Sequence, residues 1–320
     1  MREPRGLADA TWLELAVEVA GIDAELAADL LRQACPGGVA IESASRFDAA
    51  SDAYVIDGDA PAVVRGYLTA DADADRVWRS LRLALGMAPL QTPPRWRRVR
   101  RLREQSWRDA WKKHFGVQRI GRALVVKPSW THYRLKGGEI VIEIDPGMAF
   151  GTGQHPTTAM CLRALEEFVR PGDAVLDLGC GSGILGIAAA RLGAARVLAL
   201  DVDPNAVKAA SENAAANGVA PIVEVREGTL AVDASRSGAD SPEADEAFDI
   251  IAANISALAL ERLAPALARS LAPDGVLITS GFLADALEDL NRAYGSEGLN
   301  IDRVVEDGVW RAIVARAVNR

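Results

Sequence analysis

The stretch VLDLGCGSGILG, residues 175–186, decides the fold of this 320-residue chain. Its first four residues predict the end of a buried strand, and its last three predict the start of a helix. A glycine-rich turn between a strand and a helix brings backbone N–H groups close to a ligand at the helix N-terminus. The stretch therefore predicts a ligand site in an α/β domain, unless the glycines serve only to make a tight turn.

Two spacings of these glycines point to two ligands. Gly-x-Gly-x-x-Gly over 181–186 fits the dinucleotide fingerprint, and Asp201 lies at about the expected distance to hold a ribose. Gly-x-Gly-x-Gly over 179–183, preceded by Asp177, fits an S-adenosylmethionine site. Both carboxylates would repel the pyrophosphate of a dinucleotide, whereas a carboxylate stabilises the ammonium and sulfonium of S-adenosylmethionine. Charge therefore favours S-adenosylmethionine, although Asp201 suits the ribose hydroxyls of either ligand.

Apolar runs and helical stretches alternate from this turn to the end of the chain. Strands are predicted at 174–178, 196–201, 221–226, 248–253 and 275–280, and helices at 184–192, 204–217, 256–271 and 283–293. This alternation predicts a parallel sheet with helices on both faces. Residues 301–316 leave no room for a helix, and Asp307-Gly308 indicates a hairpin turn. A seven-stranded Rossmann-like sheet with a C-terminal antiparallel hairpin is typical of class I methyltransferases.

The first hundred residues predict a separate, smaller α+β domain. Strands are expected at 11–20, 39–44, 53–58 and 96–102, and helices at 22–34 and 71–85. This β-α-β-β-α-β order is that of a ferredoxin-like domain. RNA-recognition domains of this shape stack bases on aromatic residues of the central strands, and here those strands offer only Tyr54. A role in protein recognition or packing is therefore favoured over RNA stacking.

Charge is unevenly distributed along the chain. The whole chain has a net charge of −8, which argues against a basic nucleic-acid-binding protein. Residues 95–134, however, carry 13 Lys/Arg against 2 Asp/Glu. Trp107, Trp111 and Phe115 recur there at four-residue spacing and predict a packing stripe on a linker helix over 104–116. The basic face of this segment is either solvated or docks an acidic partner or ribosomal RNA.

Composition also limits which cellular compartment and which cofactors we expect. The three cysteines and three histidines form no CxxC pair and no zinc spacing, so we expect no metal, no disulfide scaffold and a reducing cytoplasm. The first ten residues do not resemble a signal peptide, and no apolar run reaches the ~18–20 residues that a membrane span needs. Residues 231–246 combine turn-forming and acidic residues without periodicity, and we interpret them as a flexible insertion.

A second stretch, DPGMAFGTGQHPTT at 145–158, is much more specific than the glycine turn. It predicts a glycine-rich loop that enters a helix, with Pro156 and two threonine hydroxyls near the helix N-terminus. An ordinary capped helix start would need only two or three of these residues. The stretch resembles the loop before the glycine turn in the ribosomal protein L11 methyltransferase (PrmA) family. WKKHF at 111–115, VVKPSW at 125–130 and Asn-Ile at 254–255 also resemble that family, and the likeness covers nearly the whole chain.

This resemblance implies a two-domain enzyme. A ferredoxin-like domain, 1–103, would capture the large-subunit ribosomal stalk protein, free or on the ribosome. The linker helix, 104–116, would lead to an S-adenosylmethionine-dependent methyltransferase domain, 117–320. The enzyme would methylate lysine ε-amines and the N-terminal α-amine of its substrate, up to trimethylation. We expect a monomer, because the two domains need no partner to close their cores.

The resemblance also implies site residues. Carried over by position, the cofactor contacts would be Thr158, Gly179, Asp201 and Asn254, joined by Phe150 and Gly181. Gln154 and Ser256 depart from the usual residues of the family, which bears on the shape of the amine entrance more than on the cofactor site.

Methylation of an amine requires a neutral nitrogen, and lysine, with a pKa of ~10.4, is almost fully protonated at neutral pH. Asn254 is the candidate for orienting the amine or the methionine end of the cofactor, unless it merely ends a strand. His155 is a candidate base, although a histidine at a helix start is more often structural.

Three alternatives stay open. A methyltransferase of this fold could act on a lysine of another protein. A methyltransferase of RNA bases is disfavoured, because the fourth strand is followed by Asn-Ile-Ser-Ala at 254–257 and not by Asn/Asp-Pro-Pro-aromatic. The last alternative is a non-catalytic or NAD-binding Rossmann protein.

Overall fold

The computed structural model describes residues 11–35, 39–42, 45–48, 53–56, 60–71, 73–103, 116–145, 153, 155–231 and 247–317. The chain divides into two compact units, 1–116 and 117–320. The predicted linker helix falls outside the described residues apart from Gly116, and the predicted insertion falls outside them apart from Ala231. No helix of the described part of the chain is long and apolar enough to cross a membrane.

The first unit is an antiparallel sheet that carries two helices. Its elements are β1 (Thr11–Ala20), α1 (Ala24–Arg32), β2 (Val39–Glu42), β3 (Ser45–Asp48), β4 (Ala53–Ile56), β5 (Pro61–Thr69), α2 (Ala74–Met87), β6 (Arg95–Trp96) and β7 (Arg100–Arg103). The main sheet has the order β2-β5-β1-β6, and β7 also pairs with β1. The core lies between this sheet and the helices, where Leu15, Val17 and Val64 of the central strands pack with Ala28 and Leu31 of α1. This arrangement has the strand order of a ferredoxin-like domain.

One strand of this unit lies elsewhere than expected. The strand expected at 53–58 is present at 53–56, but it pairs with 45–48 in a separate hairpin. Its expected place as the third strand of the β-α-β-β-α-β order is wrong, because the second central strand is Pro61–Thr69. Residues 61–69 take the central position because this run of nine residues pairs with β1 along its whole length and buries most of its side chains. The aromatic residue of the central strand is therefore Tyr67, not Tyr54. Tyr67 is fully buried and donates a hydrogen bond to Glu14, 3.5 Å away, so it offers no surface for a base to stack on.

The second unit opens with a small sheet that the sequence pattern did not reveal and with a helix whose start at Pro156 the sequence predicted. A small three-stranded sheet contains β8 (Gln118–Ile120), β9 (Leu124–Lys127) and β10 (Ile140–Glu143), and it is followed by α3 (Pro156–Phe168). The Glu166 carboxylate of α3 accepts hydrogen bonds from the backbone N–H groups of Arg122 and Ala123, at 2.8 and 2.5 Å. These bonds hold the turn between β8 and β9 against the helix that enters the site.

The predicted Rossmann-like sheet is confirmed. Its elements are β11 (Ala174–Leu178), α4 (Ile184–Leu192), β12 (Arg196–Asp201), α5 (Pro204–Ala216), β13 (Val223–Glu227), β14 (Phe248–Asn254), α6 (Ala257–Ser270), β15 (Leu271–Leu283), α7 (Leu287–Ser296), β16 (Leu299–Asp307) and β17 (Trp310–Ala317). The seven strands have the order β13-β12-β11-β14-β15-β17-β16. The first five are parallel, and β17 is antiparallel to both of its neighbours.

Both faces of this sheet are covered, and alternation along β11 decides what each face receives. Leu176 and Leu178 belong to the core on one face, whereas Val175 belongs to the core on the other. Asp177 takes the next inward position beside Val175 by the same alternation. A carboxylate therefore enters an apolar core directly beneath the glycine turn.

Candidate functional site

A cavity of about 360 Å³ opens where the parallel strands of the second unit end. Its lining comes from the residues after β11, from the ends of β12 and β14, and from α3 and α6. The carboxyl ends of parallel strands are where open α/β sheets bind ligands, and this volume is typical of a site for a small molecule. Residues 178–181 and Asp201 line one side. This side, together with the rest of the turn up to Gly183, is here called the glycine wall. Thr158, Asn254 and Ile255 form the side here called the amide wall.

The glycine wall requires glycine for identifiable reasons. Gly179, Gly181 and Gly183 have φ values of 71°, 54° and 79°, which favour glycine over residues with a Cβ atom. A Cβ atom on Gly179 would overlap the Cγ2 methyl of Ile255, and one on Gly183 would lie 3.0 Å from the Cβ of Ala210. The backbone N–H groups of residues 179 and 180 both donate to the Leu200 carbonyl, at 2.8 and 3.0 Å. The turn is thus both tight and pressed against its neighbours.

Asp201 is the carboxylate that this wall presents to the cavity. Its Oδ2 accepts a hydrogen bond from the Gly181 backbone N–H at 2.8 Å, and its Oδ1 accepts one from Asp203 at 3.0 Å. Two backbone donors therefore hold the carboxylate in place, and each oxygen keeps lone-pair capacity for a ligand donor. This arrangement suits a pair of vicinal hydroxyl groups such as those of a ribose.

Asp177 does not line the cavity. Of the two carboxylates predicted to lie near the cofactor, only that of Asp201 faces a ligand there. Its side chain is buried, and Oδ2 accepts a hydrogen bond from the Gly186 backbone N–H in the first turn of α4, at 2.7 Å. Burial raises the pKa of Asp177 to about 7, against the opposing effect of the Gly186 hydrogen bond. Gly186 is also used for packing, because a Cβ atom there would lie 3.2 Å from Asp177 Oδ2.

The amide wall joins two side chains that are 96 residues apart. Asn254 Nδ2 donates a hydrogen bond to the Thr158 hydroxyl at 3.1 Å, and Thr158 is itself buried near the start of α3. The Asn254 Oδ1 atom is buried and accepts no hydrogen bond from the described residues. Since a buried acceptor without a donor is costly, the wall fits a ligand that brings an N–H group to this oxygen.

His155 caps the helix that carries Thr158. Its Nδ1 accepts a hydrogen bond from the Thr157 backbone N–H at 3.2 Å and lies 2.6 Å from the Thr157 hydroxyl. The imidazole is buried and packs edge-on against Trp310, with ring centroids 4.7 Å apart. The structure therefore places His155 in the support of α3 and not in the lining of the cavity.

The other predicted site residues differ in where the structure places them. Gly179 and Gly181 line the cavity together with Thr158, Asp201 and Asn254, whereas Phe150 falls outside the described residues. Cys180 also lines the cavity, and burial raises its pKa, so the thiol is poorly suited to act as a nucleophile. The described residues contain no cluster of side chains that could hold a metal ion.

Sequence reasoning missed several residues of the cavity lining, among them Val202 and Ile255, and also missed Gly281 behind the lining. Val202 lines the cavity beside Asp201 and is 68% exposed, which is unusual for a valine and could have been suspected from its place at a strand end. Ile255 lines the cavity next to Asn254, and Gly281 packs against the Ile255 backbone from the neighbouring strand. The contact with Gly281 joins positions 26 residues apart, and no local pattern marks it.

Comparisons with known proteins agree on one family. The family profile described as "Ribosomal protein L11 methyltransferase (PrmA)" matches residues 11–318. A ribosomal protein L11 methyltransferase of Chloroflexus aurantiacus is 41% identical over 329 residues, covering 96% of this chain and 98% of the relative. One of Pelotomaculum thermopropionicum is 40% identical over 314 residues, covering 95% and 98%. The crystal structure of the ribosomal protein L11 methylase from Lactobacillus delbrueckii subsp. bulgaricus is 34% identical with a TM-score of 0.56, covering 64% of this chain and all of that chain.

Proposed function

The chain belongs to the ribosomal protein L11 methyltransferase family, and we propose on this basis that it transfers methyl groups from S-adenosylmethionine to amino groups of ribosomal protein L11. The observation that carries the proposal is the amide wall. There a buried acceptor, Asn254 Oδ1, is fixed by Thr158 beside a glycine turn and faces no donor of the described residues. An amine, which carries N–H donors, is one chemical group that would satisfy this acceptor.

The described residues fit the cofactor. Asp201 would accept hydrogen bonds from the ribose hydroxyls, and the backbone at Gly179 and Gly181 allows close approach of the ligand because no Cβ atom intervenes. The exposed side chain of Val202 adds apolar surface beside Asp201. When bound, S-adenosylmethionine supplies a methyl group on a positively charged sulfur, which is already a good electrophile.

The task of the protein is then to present a neutral amine in line with that methyl group. Lysine is almost fully protonated at neutral pH, and desolvation near a positive charge lowers the pKa of its amine. In the first two transfers, Asn254 Oδ1 would accept a hydrogen bond from one N–H of the neutral amine and direct the lone pair toward the methyl group. The neutral dimethylamine has no N–H, so the third transfer would depend on positioning and desolvation alone. Positioning of this kind can supply much of the rate enhancement without a side-chain base.

The target amines are the lysine ε-amines and the N-terminal α-amine of L11, up to trimethylation. Residues 1–103 would capture this substrate, free or on the ribosome, and 104–116 would link the capture domain to the transferase domain. The enzyme would act in the cytoplasm as a monomer. In support, Tyr67 of the central strand β5 is fully buried and offers no surface for an RNA base to stack on, which favours a protein substrate.

The basic segment 95–134 would steer the enzyme to its substrate or to ribosomal RNA. Some of its arginines are engaged internally, since Arg97 pairs with Glu18 and Arg100 with Glu14. Arg98 and Arg101 are exposed and form no ion pair with the described residues. Reversing both charges to glutamate should raise KM for L11 while the Kd for S-adenosylmethionine stays the same. An unchanged KM would contradict steering, and an effect seen with ribosomes but not with free L11 would point to ribosomal RNA.

The decisive experiment is the intact mass of recombinant L11 after incubation with the enzyme and S-adenosylmethionine, beside the Asp201→Ala variant. We expect the mass to rise in steps of one methylene with the wild type and to stay constant with the variant. If L11 is unmodified while calorimetry still detects S-adenosylmethionine, the substrate is another protein or an RNA. If NAD raises the melting temperature and S-adenosylmethionine does not, the proposal fails at the cofactor.

A further inference from the structure

Ile255 is held between two glycines that come from different parts of the second unit. On one side its Cγ2 methyl occupies the space that a Cβ atom on Gly179 would need. On the other side its backbone contacts Gly281, where an added Cβ atom would lie 2.9 Å from both the nitrogen and the carbonyl carbon of Ile255. Contacts this close are essentially never seen for real Cβ atoms, and backbone atoms cannot move aside as a flexible side chain can.

The contact with Gly281 is built into the sheet. The Ile255 backbone N–H donates to the Ser280 carbonyl at 3.1 Å, and Asn254 stands opposite Ser280 in the pairing of β14 with β15. Immediately after Ser280, the pairing of β15 with β17 shifts register, and Gly281 adopts a φ of 97°. The irregularity brings the β15 backbone onto Ile255 at the point where the amide wall begins.

We propose that Ile255 and Gly281 are positioning residues for methyl transfer, and that the Gly179–Ile255–Gly281 stack sets the position of Asn254 Oδ1 relative to the glycine wall. The inference rests on the proposed function, since it takes Asn254 Oδ1 to receive the amine that is methylated. Thr158 fixes which end of the amide faces the ligand, and the stack fixes how far the amide stands from the bound cofactor. Neither Ile255 nor Gly281 needs to touch the amine for this effect.

The test uses two ligands and needs no protein substrate. S-adenosylhomocysteine lacks the transferred methyl group, and sinefungin carries an amine in the place of that group. The ratio of their calorimetric Kd values therefore reports whether Asn254 Oδ1 stands where an amine can meet it. Asn254→Ala is the reference variant. Its preference for sinefungin over S-adenosylhomocysteine should be about tenfold smaller than that of the wild type. If it keeps the preference, the inference is overturned.

Ile255→Leu removes the branched methyl that meets Gly179 at nearly constant volume, whereas Ile255→Val keeps it. We expect Ile255→Leu to lose about tenfold of the preference and Ile255→Val to retain it. Gly281→Ala should behave like Ile255→Leu, and Gly308→Ala is its control, since Gly308 also has positive φ but has no atom within 4 Å of an added Cβ. If Gly281→Ala does not fold, Ile255→Leu alone decides.

Two results would overturn the inference. In one, Ile255→Leu keeps the wild-type ratio; in the other, both ligands weaken equally, because the stack would then support the cavity as a whole and not the amide. The kcat for L11 provides a second readout, expected to fall ~10- to 100-fold in Ile255→Leu at unchanged affinity for S-adenosylhomocysteine. Failure of the wild type to methylate L11 would count against the proposed function, and the Kd ratio would still decide whether the stack positions the amide.

Discussion

The two walls of the cavity are built by opposite means. The glycine wall is local: its carboxylate and its turn are tied by backbone hydrogen bonds among residues 179–203. The amide wall joins Thr158 to Asn254 across 96 residues and is backed by Gly281 from a third element. One wall depends on the conformation of a single turn, and the other depends on how three distant elements pack.

This difference separates binding from chemistry. Backbone donors and positive-φ glycines form a cradle that suits any ligand with a ribose, so the glycine wall alone left two cofactors open. The amide wall presents an oriented acceptor, and its position decides which group can react. We therefore expect changes in the glycine wall to alter ligand affinity or stability, and changes in the amide wall to alter kcat.

The largest expected effect lies beneath the glycine wall, at Asp177. Its pKa of about 7 stands above the ordinary value of 3.8, so the native state holds a proton that the unfolded chain releases. The free energy of unfolding should therefore fall between about pH 4 and pH 7, by up to ~4 kcal/mol, and level off above that range. Asp177→Asn, which cannot ionise, should lack this fall. Urea unfolding of the wild type and of Asp177→Asn between about pH 4 and pH 7 measures this difference. If the free energy of unfolding changes with pH in the same way in both proteins, native Asp177 is ionised throughout.

Asp201→Ala tests the glycine wall as a ligand cradle. Loss of a carboxylate that accepts from the ribose hydroxyls should raise the Kd for S-adenosylmethionine about 100-fold, as measured by calorimetry. Asp203→Ala is the matched control, because Asp203 caps α5 through Asn205 and does not line the cavity. It should lower stability and leave the Kd unchanged. Equal losses in the two variants would show that Asp201 acts only by supporting the turn.

Thr158→Val tests the amide wall at nearly constant volume. Without the hydroxyl, Asn254 Nδ2 loses its acceptor and the amide is free to turn its oxygen away from the amine. We expect kcat for L11 to fall about tenfold, with a smaller change in the Kd for S-adenosylhomocysteine. Thr158→Ser, which keeps the hydroxyl, should restore most of the rate. If the affinity for S-adenosylhomocysteine falls by as large a factor as kcat, the amide wall serves ligand binding as the glycine wall does, and the two walls do not differ in role.

The glycine wall could be predicted from the sequence to a greater extent than the amide wall. The parallel sheet and its hairpin were predictable, because strands buried on both faces and a Gly-rich turn leave strong local patterns. Asp201, Gly179 and Gly181 were predictable for the same reason, whereas Asn254 and Thr158 were suggested by family resemblance. The opposite roles of Asp177 and Asp201 were not predictable, since each lies within the last two residues of a strand and only alternation against the packed helices decides which faces the cavity. The contact of Ile255 with Gly281 depends on a register shift that no local pattern encodes.

The smallest expected effect concerns His155, which supports the amide wall from outside the cavity. Asparagine is a good N-cap residue, so His155→Asn should keep most of the kcat, and His155→Ala should cost about 1 kcal/mol of stability through loss of the cap. A general base, by contrast, contributes about 10²- to 10⁴-fold. The pH profile of kcat in His155→Asn decides between the two roles. A loss of that size, with the stability of the wild type retained, would make His155 part of the chemistry and extend the amide wall to the start of α3.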